Sequence, residues 1–370
     1  MRPRRVAAAA AVLAMLSATA VGLALRSGRT PEQLARVIGL PPPPALSPTT
    51  TADLAPELEG IAAWHNTAPL TLKALRGKVV LIDFWTYSCI NCRRMFPLLR
   101  ALHERYADDG LVVIGVHSPE FDFEKSHAAV ARAVRDLHVT WPVAEDPDQT
   151  TWAAYGNEYW PADYVVDREG RLREHHVGES AAGVLEGAVR RLLAEGGGAP
   201  GSALVGTPSA SERPPAAGQD VTPELYLGAL RGLGSIASPG PVDTTDRVRR
   251  ADPPAGRDLV SFTGVFTGAD DWVAAAAGAR VEVAHRARDV YITARSTAAG
   301  SVLEVRLGGK PVPADRRGRD VVALADGSTV TRLGPDDLRH LLTGDAVTDG
   351  RLSLTVRGAA AHLYTFTFGG

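Results

Sequence analysis

The chain has 370 residues, of which 45% are hydrophobic and 22% charged. That is enough for two globular domains with a sizeable core in each. A formal net charge of −2 gives no electrostatic footprint for nucleic acid, and two cysteines are too few for a disulfide scaffold or a four-thiolate zinc site. At the N-terminus, Met1-Arg2-Pro3-Arg4-Arg5 precedes an apolar stretch from Val6 to about Leu25. Residues 1–28 read either as a signal peptide, with Ala18-Thr19-Ala20 as its cleavage site, or as a single membrane anchor. In both readings the arginines on the N-terminal side place the bulk of the chain outside the cytoplasm, anchored or secreted. Residues 29–54 contain Pro41-Pro42-Pro43-Pro44 and read as a stiff, extended linker.

Residues 55–196 alternate strands with helices. Val79 to Trp85 is a buried strand, and Cys92, Met95, Phe96, Leu99 and Leu102 follow at helical spacing. Leu111 to Val116 is a second buried strand. Phe123, Val130, Val134 and Leu137 suggest one amphipathic helix. Tyr164-Val165-Val166 and Leu172 to Val177, joined at Asp167-Arg168-Glu169-Gly170, read as a hairpin, and Leu185, Val189, Leu192 and Leu193 give a last helix. The pattern predicts an α/β sheet covered by helices. A Gly/Pro/Ser-rich linker occupies 197–220. From 221 to 370 the texture becomes short runs of alternating polarity, from Val260–Phe266 to Leu363–Phe368, punctuated by Gly and Asp. This predicts an all-β sandwich of the jelly-roll kind. Trp272, Tyr291 and Tyr364 read as sandwich core, with stacking on sugar rings as the alternative.

The chemistry centres on Cys89 and Cys92. A strand that delivers a Cys-x-x-Cys pair to a helix start is the geometry of a dithiol redox site, because the helix dipole and free N–H groups favour a thiolate there. Arg93 and Arg94 add positive charge nearby. Asp83 lies in an otherwise apolar strand, six residues before Cys89. A buried carboxylate at that place would have a raised pKa and could take the proton of Cys92. Trp85 would flank a mixed disulfide and shield it from water. A cis Pro161 would set the backbone of Trp160 against the cysteines. His65, His117, His175 and His176 have no metal-ligand spacing to the pair, so no metal or other cofactor is expected. His117 and Glu120 read as solvated loop residues. A peroxidase is a weaker reading: Thr86 stands three before Cys89, but Ile82 occupies the place where such sites put a proline.

The run Val80-Leu81-Ile82-Asp83-Phe84-Trp85-Thr86-Tyr87-Ser88-Cys89-Ile90-Asn91-Cys92 resembles the active-site strand and helix start of the thioredoxin superfamily. Pro97 matches its helix proline, Pro161 its cis-proline and Asp83 its buried aspartate. More narrowly, the Trp85–Cys92 and Thr151–Ala162 runs are similar to the TlpA/ResA-like extracytoplasmic thioredoxins and to the periplasmic region of DipZ-type proteins. Thr222–Gly228 and Tyr364–Gly369 are similar to the carbohydrate-binding-module-like domain that follows thioredoxin there. The resemblance implies a thioredoxin-like fold followed by a jelly-roll sandwich. It implies catalytic roles for Cys89, Cys92, Asp83, Trp85 and Pro161, and substrate contact by Trp160 and Tyr87. Protein or small-thiol disulfides would be the substrates, a separate membrane protein of CcdA type the electron donor, and cell-envelope polysaccharide a ligand of the sandwich. The resemblance favours an extracytoplasmic thiol:disulfide oxidoreductase working as a reductase, with a thiol oxidase of the same fold as the alternative, because Ile90-Asn91 replaces the Gly-Pro of ordinary thioredoxins and the direction of electron flow does not carry over from them. Met95 stands where some ResA-like reductants place an acidic residue, so their pH-dependent substrate recognition does not carry over either.

Overall fold

The computed structural model describes residues 53–197, 220–229, 256–298, 300–334 and 337–369. The expectations for 1–28, and nearly all of those for 29–54 and 197–220, lie outside the described residues. Contacts divide the chain into two compact units, one containing 53–197 and the other 220–369.

The first unit runs β1 (Ala63–His65), β2 (Val79–Trp85), α1 (Ile90–Tyr106), β3 (Leu111–His117), α2 (His127–Asp136), β4 (Val143–Glu145), α3 (Thr150–Ala154), β5 (Ala162–Val166), β6 (Leu172–Val177) and α4 (Ala182–Glu195). Its single sheet has the order β1-β4-β3-β2-β5-β6. β2 pairs parallel with β3, and β3 with β4. β5 returns antiparallel to β2 and β6 completes the hairpin. Every residue of β2 is buried, as expected of a strand covered on both faces. Alternation then sorts its side chains. Val80, Ile82 and Phe84 share a core with Leu58, Leu72, Ile114, Val116, Trp152 and Tyr164. Asp83 and Trp85 lie on the opposite face, where the Trp85 ring meets Phe96 of α1 edge-on at 5.1 Å. Gly115 of β3 is needed here: a Cβ would stand 2.8 Å from the Trp85 indole nitrogen and 3.1 Å from that of Trp141.

The expected helix around 123–137 is two pieces, a 3-10 turn at Asp122–Lys125 and then α2. Ser126 separates them because its hydroxyl accepts from the Ala129 N–H and caps the second piece. β1, β4 and α3 are too short for periodicity to reveal.

The second unit is all-β. After β7 (Leu225–Tyr226) come β8 (Leu259–Thr263), β9 (Phe266–Gly268), β10 (Val273–Ala275), β11 (Arg280–Ala287), β12 (Asp289–Ser296), β13 (Val302–Leu307), β14 (Lys310–Pro311), β15 (Val321–Ala323), β16 (Thr329–Arg332), β17 (Asp337–Leu342), β18 (Thr348–Arg357) and β19 (Ala361–Gly369). One antiparallel sheet has the order β17-β12-β19-β10-β9, with β7 on β19. The other has the order β15-β16-β13-β18-β11-β8, with β14 on β13. Phe262, Val281, Val305 and Leu354 of one and Phe266, Val273, Ile292 and Phe366 of the other share one core. That makes the unit a sandwich. The run expected as one strand over 260–266 is split into β8 and β9 by Gly264, whose φ of +114° suits glycine. A Cβ there would also stand 2.9 Å from the Ala279 Cα. Tyr291 and Tyr364 are buried, and the half-buried Trp272 lies flat against His362 at 3.8 Å.

Candidate active site

β2 ends at Trp85, and four residues later Cys89 caps α1. Its Sγ accepts the Cys92 backbone N–H at 3.2 Å. An N–H aimed at the sulfur, together with the positive end of a seventeen-residue helix, favours negative charge on Cys89. Cys89 is half-buried and Cys92 fully buried, and no disulfide joins them. Burial pushes the Cys92 thiol well above its ordinary value, helped by its contact with Cys89 and by the charges of Cys89 and Asp83. The pair is therefore asymmetric: one accessible sulfur and one buried thiol that holds its proton.

Asp83 lies behind this pair, and the fold adds a partner that sequence reasoning missed. In the β2–β5 ladder Asp83 stands directly opposite Asp163, and both are buried. Among the described residues neither oxygen of Asp83, nor Oδ1 of Asp163, has a hydrogen-bond partner. Only the Ser180 hydroxyl reaches Asp163, donating to Oδ2 at 3.5 Å. Burial raises the Asp83 carboxyl well above the carboxylate range, and the Asp163 charge raises it further. Burial likewise raises Asp163, against a small lowering by Ser180. Two facing carboxyls in an apolar layer cannot both be ionised at low cost, so they hold a proton between them. The missed signal was an acidic residue two positions after Pro161 in a strand otherwise apolar.

The loop before Cys89 is held by Glu124, another residue the sequence reading passed over. Its carboxylate accepts from Ser88 N (3.2 Å), Ser88 Oγ (2.6 Å), Glu120 N (2.7 Å) and Phe121 N (3.0 Å). Burial raises its pKa, with Glu120 adding to the effect and the hydrogen bonds opposing it. His117 ends β3 and is buried, so the solvated-loop expectation for it is corrected. Its ring stacks on Tyr87 at 5.5 Å and meets Trp85 edge-on at 5.0 Å. Its Nε2 lies 3.4 Å from Thr86 Oγ1. Burial pushes its pKa down to about 3, so it is neutral.

Two expected roles change. Trp85 is 0% exposed and Tyr87 3%. Their rings are walls beneath the loop, so in this conformation neither flanks a mixed disulfide nor presents a face to substrate. Arg94 is buried and tied to Glu179 at 3.1 Å, which neutralises the charge expected to act on the thiols. Arg93 donates to the Tyr87 carbonyl at 2.6 Å. The Trp160–Pro161 bond is cis. Trp160 remains half-buried, packed on Trp152 at 4.1 Å, with its indole N–H donating to the Ser118 carbonyl at 2.9 Å.

A Cys-x-x-Cys pair capping a helix after a central strand, with a buried carboxylate behind and a cis-proline in the same unit, is a thioredoxin-type dithiol site. Comparison with known proteins agrees. Residues 51–175 match the AhpC/TSA family and residues 222–369 the thioredoxin-like C-terminal domain. Thiol-disulfide oxidoreductase YkuV of Bacillus subtilis is 34% identical over 140 residues, which cover 38% of this chain and 94% of YkuV. Protein DipZ of Mycobacterium tuberculosis is 35% identical over 332 residues, 85% of this chain. The chain spans only 43% of the length of DipZ. ResA of Bacillus thuringiensis, also a thiol-disulfide oxidoreductase, is 29% identical over 123 residues, 33% of this chain and 68% of ResA. The chain belongs to the thioredoxin-like thiol-disulfide oxidoreductases.

Proposed function

We propose that the chain reduces substrate disulfides outside the cytoplasm. The observation that carries this reading is the asymmetry of the two thiols: Cys89 half-exposed with an N–H aimed at its sulfur, Cys92 buried with its proton retained. In the first step the Cys89 thiolate attacks a substrate disulfide. A Cys89–substrate S–S bond forms, and the departing substrate thiolate takes a proton from solvent. In the second step Cys92 gives its proton to the Asp83–Asp163 pair and attacks the Cys89 sulfur. The Cys89–Cys92 disulfide forms, the second substrate sulfur leaves as a thiolate and takes a proton from solvent, and two electrons have passed to the substrate. Pro161 and Trp160 are the proposed docking elements for the substrate chain beside Cys89.

Turnover then requires a dithiol donor to return two electrons to the Cys89–Cys92 disulfide, for which a separate membrane protein of CcdA type is proposed. The apolar N-terminal stretch and the arginines before it support the extracytoplasmic placement; among the described residues no helix is long and apolar enough to cross a membrane. For the sandwich, cell-envelope polysaccharide is the proposed ligand. Of the three rings considered for it only Trp272 is not buried, and His362 covers one of its faces. Capture with Cys92→Ala tests the main reading. The variant should hold a client as a mixed disulfide on Cys89, and the Cys89–Cys92 couple of the parent protein should have a reduction potential well below that of strongly oxidising dithiols, about −120 mV. A potential near that value would reverse the direction of flow.

A further inference from the structure

We propose that His65, His127 and Glu145 form a binding site for a divalent transition-metal ion of the zinc type, separate from the dithiol. The three residues come from three elements: His65 from the edge strand β1, Glu145 from β4, and His127 from the first position of α2. One nitrogen of each imidazole and one carboxylate oxygen all lie within 4.8 Å of one another. His127 Nδ1 is 2.8 Å from Glu145 Oε1, and His65 Nε2 contacts the same oxygen. The two rings stack at 5.5 Å with their planes 17° apart. In a tetrahedral site with bonds of about 2.0–2.1 Å the ligand atoms stand about 3.3 Å from each other. Both imidazole-to-carboxylate contacts are shorter than that and the remaining separation is within 4.8 Å, so an ion would need the two contacts to open.

Charge supports the assignment. Glu145 is buried, and among the described residues its only ion-pair partners are the two histidines; no Lys or Arg pairs with it. A buried carboxylate needs a positive charge beside it or a proton on it. Two imidazoles that converge on a single carboxylate oxygen from different elements bring three ligand atoms to one point, and neutral imidazoles alone leave the carboxylate charge uncompensated. A divalent cation satisfies all three groups at once. Two imidazoles and one carboxylate, with His127 66% exposed, leave a position open to water, the donor count of a site with an exchangeable fourth ligand. The site lies at the same end of the sheet as the dithiol: Trp85, His117 and Glu145, the last residues of β2, β3 and β4, are aligned across those strands. The neutral His117 stands between the two. A bound ion would tie β1, β4 and the start of α2 together and so stabilise the fold as its concentration rises.

The test uses the full chain, stripped with chelator and oxidised to the Cys89–Cys92 disulfide so that the thiols cannot ligate, then titrated with Zn²⁺ alone. One equivalent should bind and raise the thermal midpoint. His127→Ala and Glu145→Gln should each weaken binding about tenfold or more, whereas Cys89→Ala with Cys92→Ala should leave it unchanged. Cobalt substitution should give ligand-field bands without thiolate charge transfer. Absence of Zn²⁺ binding, or binding that survives both His127→Ala and Glu145→Gln, overturns the site. His127 is a surface residue, so its variant remains readable even if Glu145→Gln fails to fold.

Discussion

The acidic pair beneath the dithiol and the buried acids of the sandwich are held in opposite ways. In the sandwich, Asp289 takes Arg288 Nε at 2.7 Å and His340 Nε2 at 3.1 Å, and Glu304 is paired with Arg306 and Arg357. Burial pushes Asp289 up, but its hydrogen bonds from His340, Arg288 and Thr343 outweigh this and bring it down to about 2. In the α/β unit, Asp83 and Asp163 face each other with a single long hydrogen bond between them and the rest of the described chain, and both are pushed up. The sandwich solvates its buried charges; the α/β unit withholds solvation beneath a thiol. An unsolvated carboxyl costs stability and supplies a base whose proton affinity suits a buried thiol, so it belongs where the chemistry is.

The strongest test of that contrast is removal of a sulfur. Cys89→Ala should abolish reduction of a model protein disulfide entirely. In the sandwich, Phe266→Ala empties a buried site and should cost about 3–5 kcal/mol of that unit's stability while leaving the rate at the dithiol unchanged at temperatures where the unit stays folded. Loss of turnover in step with the sandwich mutation would erase the division of labour.

Next in size is the base. Asp83→Asn should slow resolution of the mixed disulfide on the order of 100-fold, with the first attack by Cys89 little affected; stopped-flow with a fluorescent mixed disulfide separates the two steps. Asp163→Asn should be milder and more diagnostic. Removing the facing charge lowers the Asp83 pKa, so the rate of resolution should reach its plateau at lower pH than in the parent, while its maximum falls because the base is weaker. An unshifted profile would mean the two carboxyls act independently.

These residues also show what a sequence can reveal. Asp83 stood out because one acid interrupts an apolar strand, and the roles assigned around Cys89, Cys92 and Pro161 rest on local patterns of a few residues. Asp163 could not be paired with Asp83 in advance, since the β2–β5 register joins positions eighty residues apart in the chain. The same holds for Glu124, which reaches back 36 residues to Ser88, and for His65 and Glu145, 80 residues apart. The burial of Trp85 and Tyr87 was hidden for another reason: aromatic residues beside a reactive loop look alike in sequence whether they face substrate or support the loop from below. The split of β8 from β9 required knowing that Gly264 abuts Ala279, which is again a tertiary fact.

The smallest effect, and the one that reads the contrast directly, is the pH dependence of stability. Asp83 and Asp163 have folded pKa values above the unfolded value of about 3.9. These two carboxyls therefore bind more protons in the folded unit than in the unfolded one, and their contribution to its stability is fullest below pH 4 and falls as pH rises through the folded values. The buried His117, pushed down to about 3, contributes with the opposite sign, losing stability as pH falls below the ordinary histidine range. Asp289 has that opposite sign too. Its folded value near 2 lies below the unfolded one, so its contribution is present above pH 4 and lost as pH falls toward 2. Hydrogen exchange can follow the two units separately, through slow amides of β2 and β3 in one and of β12 and β19 in the other. Between pH 4 and 8, Asp83→Asn should raise protection in β2 and β3 relative to the parent, with the gain growing toward the alkaline end. Asp289→Asn should remove part of the acid-side loss in β12 and β19 and leave β2 unaltered. A profile in β2 and β3 that Asp83→Asn leaves unchanged would mean that Asp83 is ionised in the folded chain, and the proposed proton acceptor for Cys92 would then lack the raised proton affinity on which its role depends.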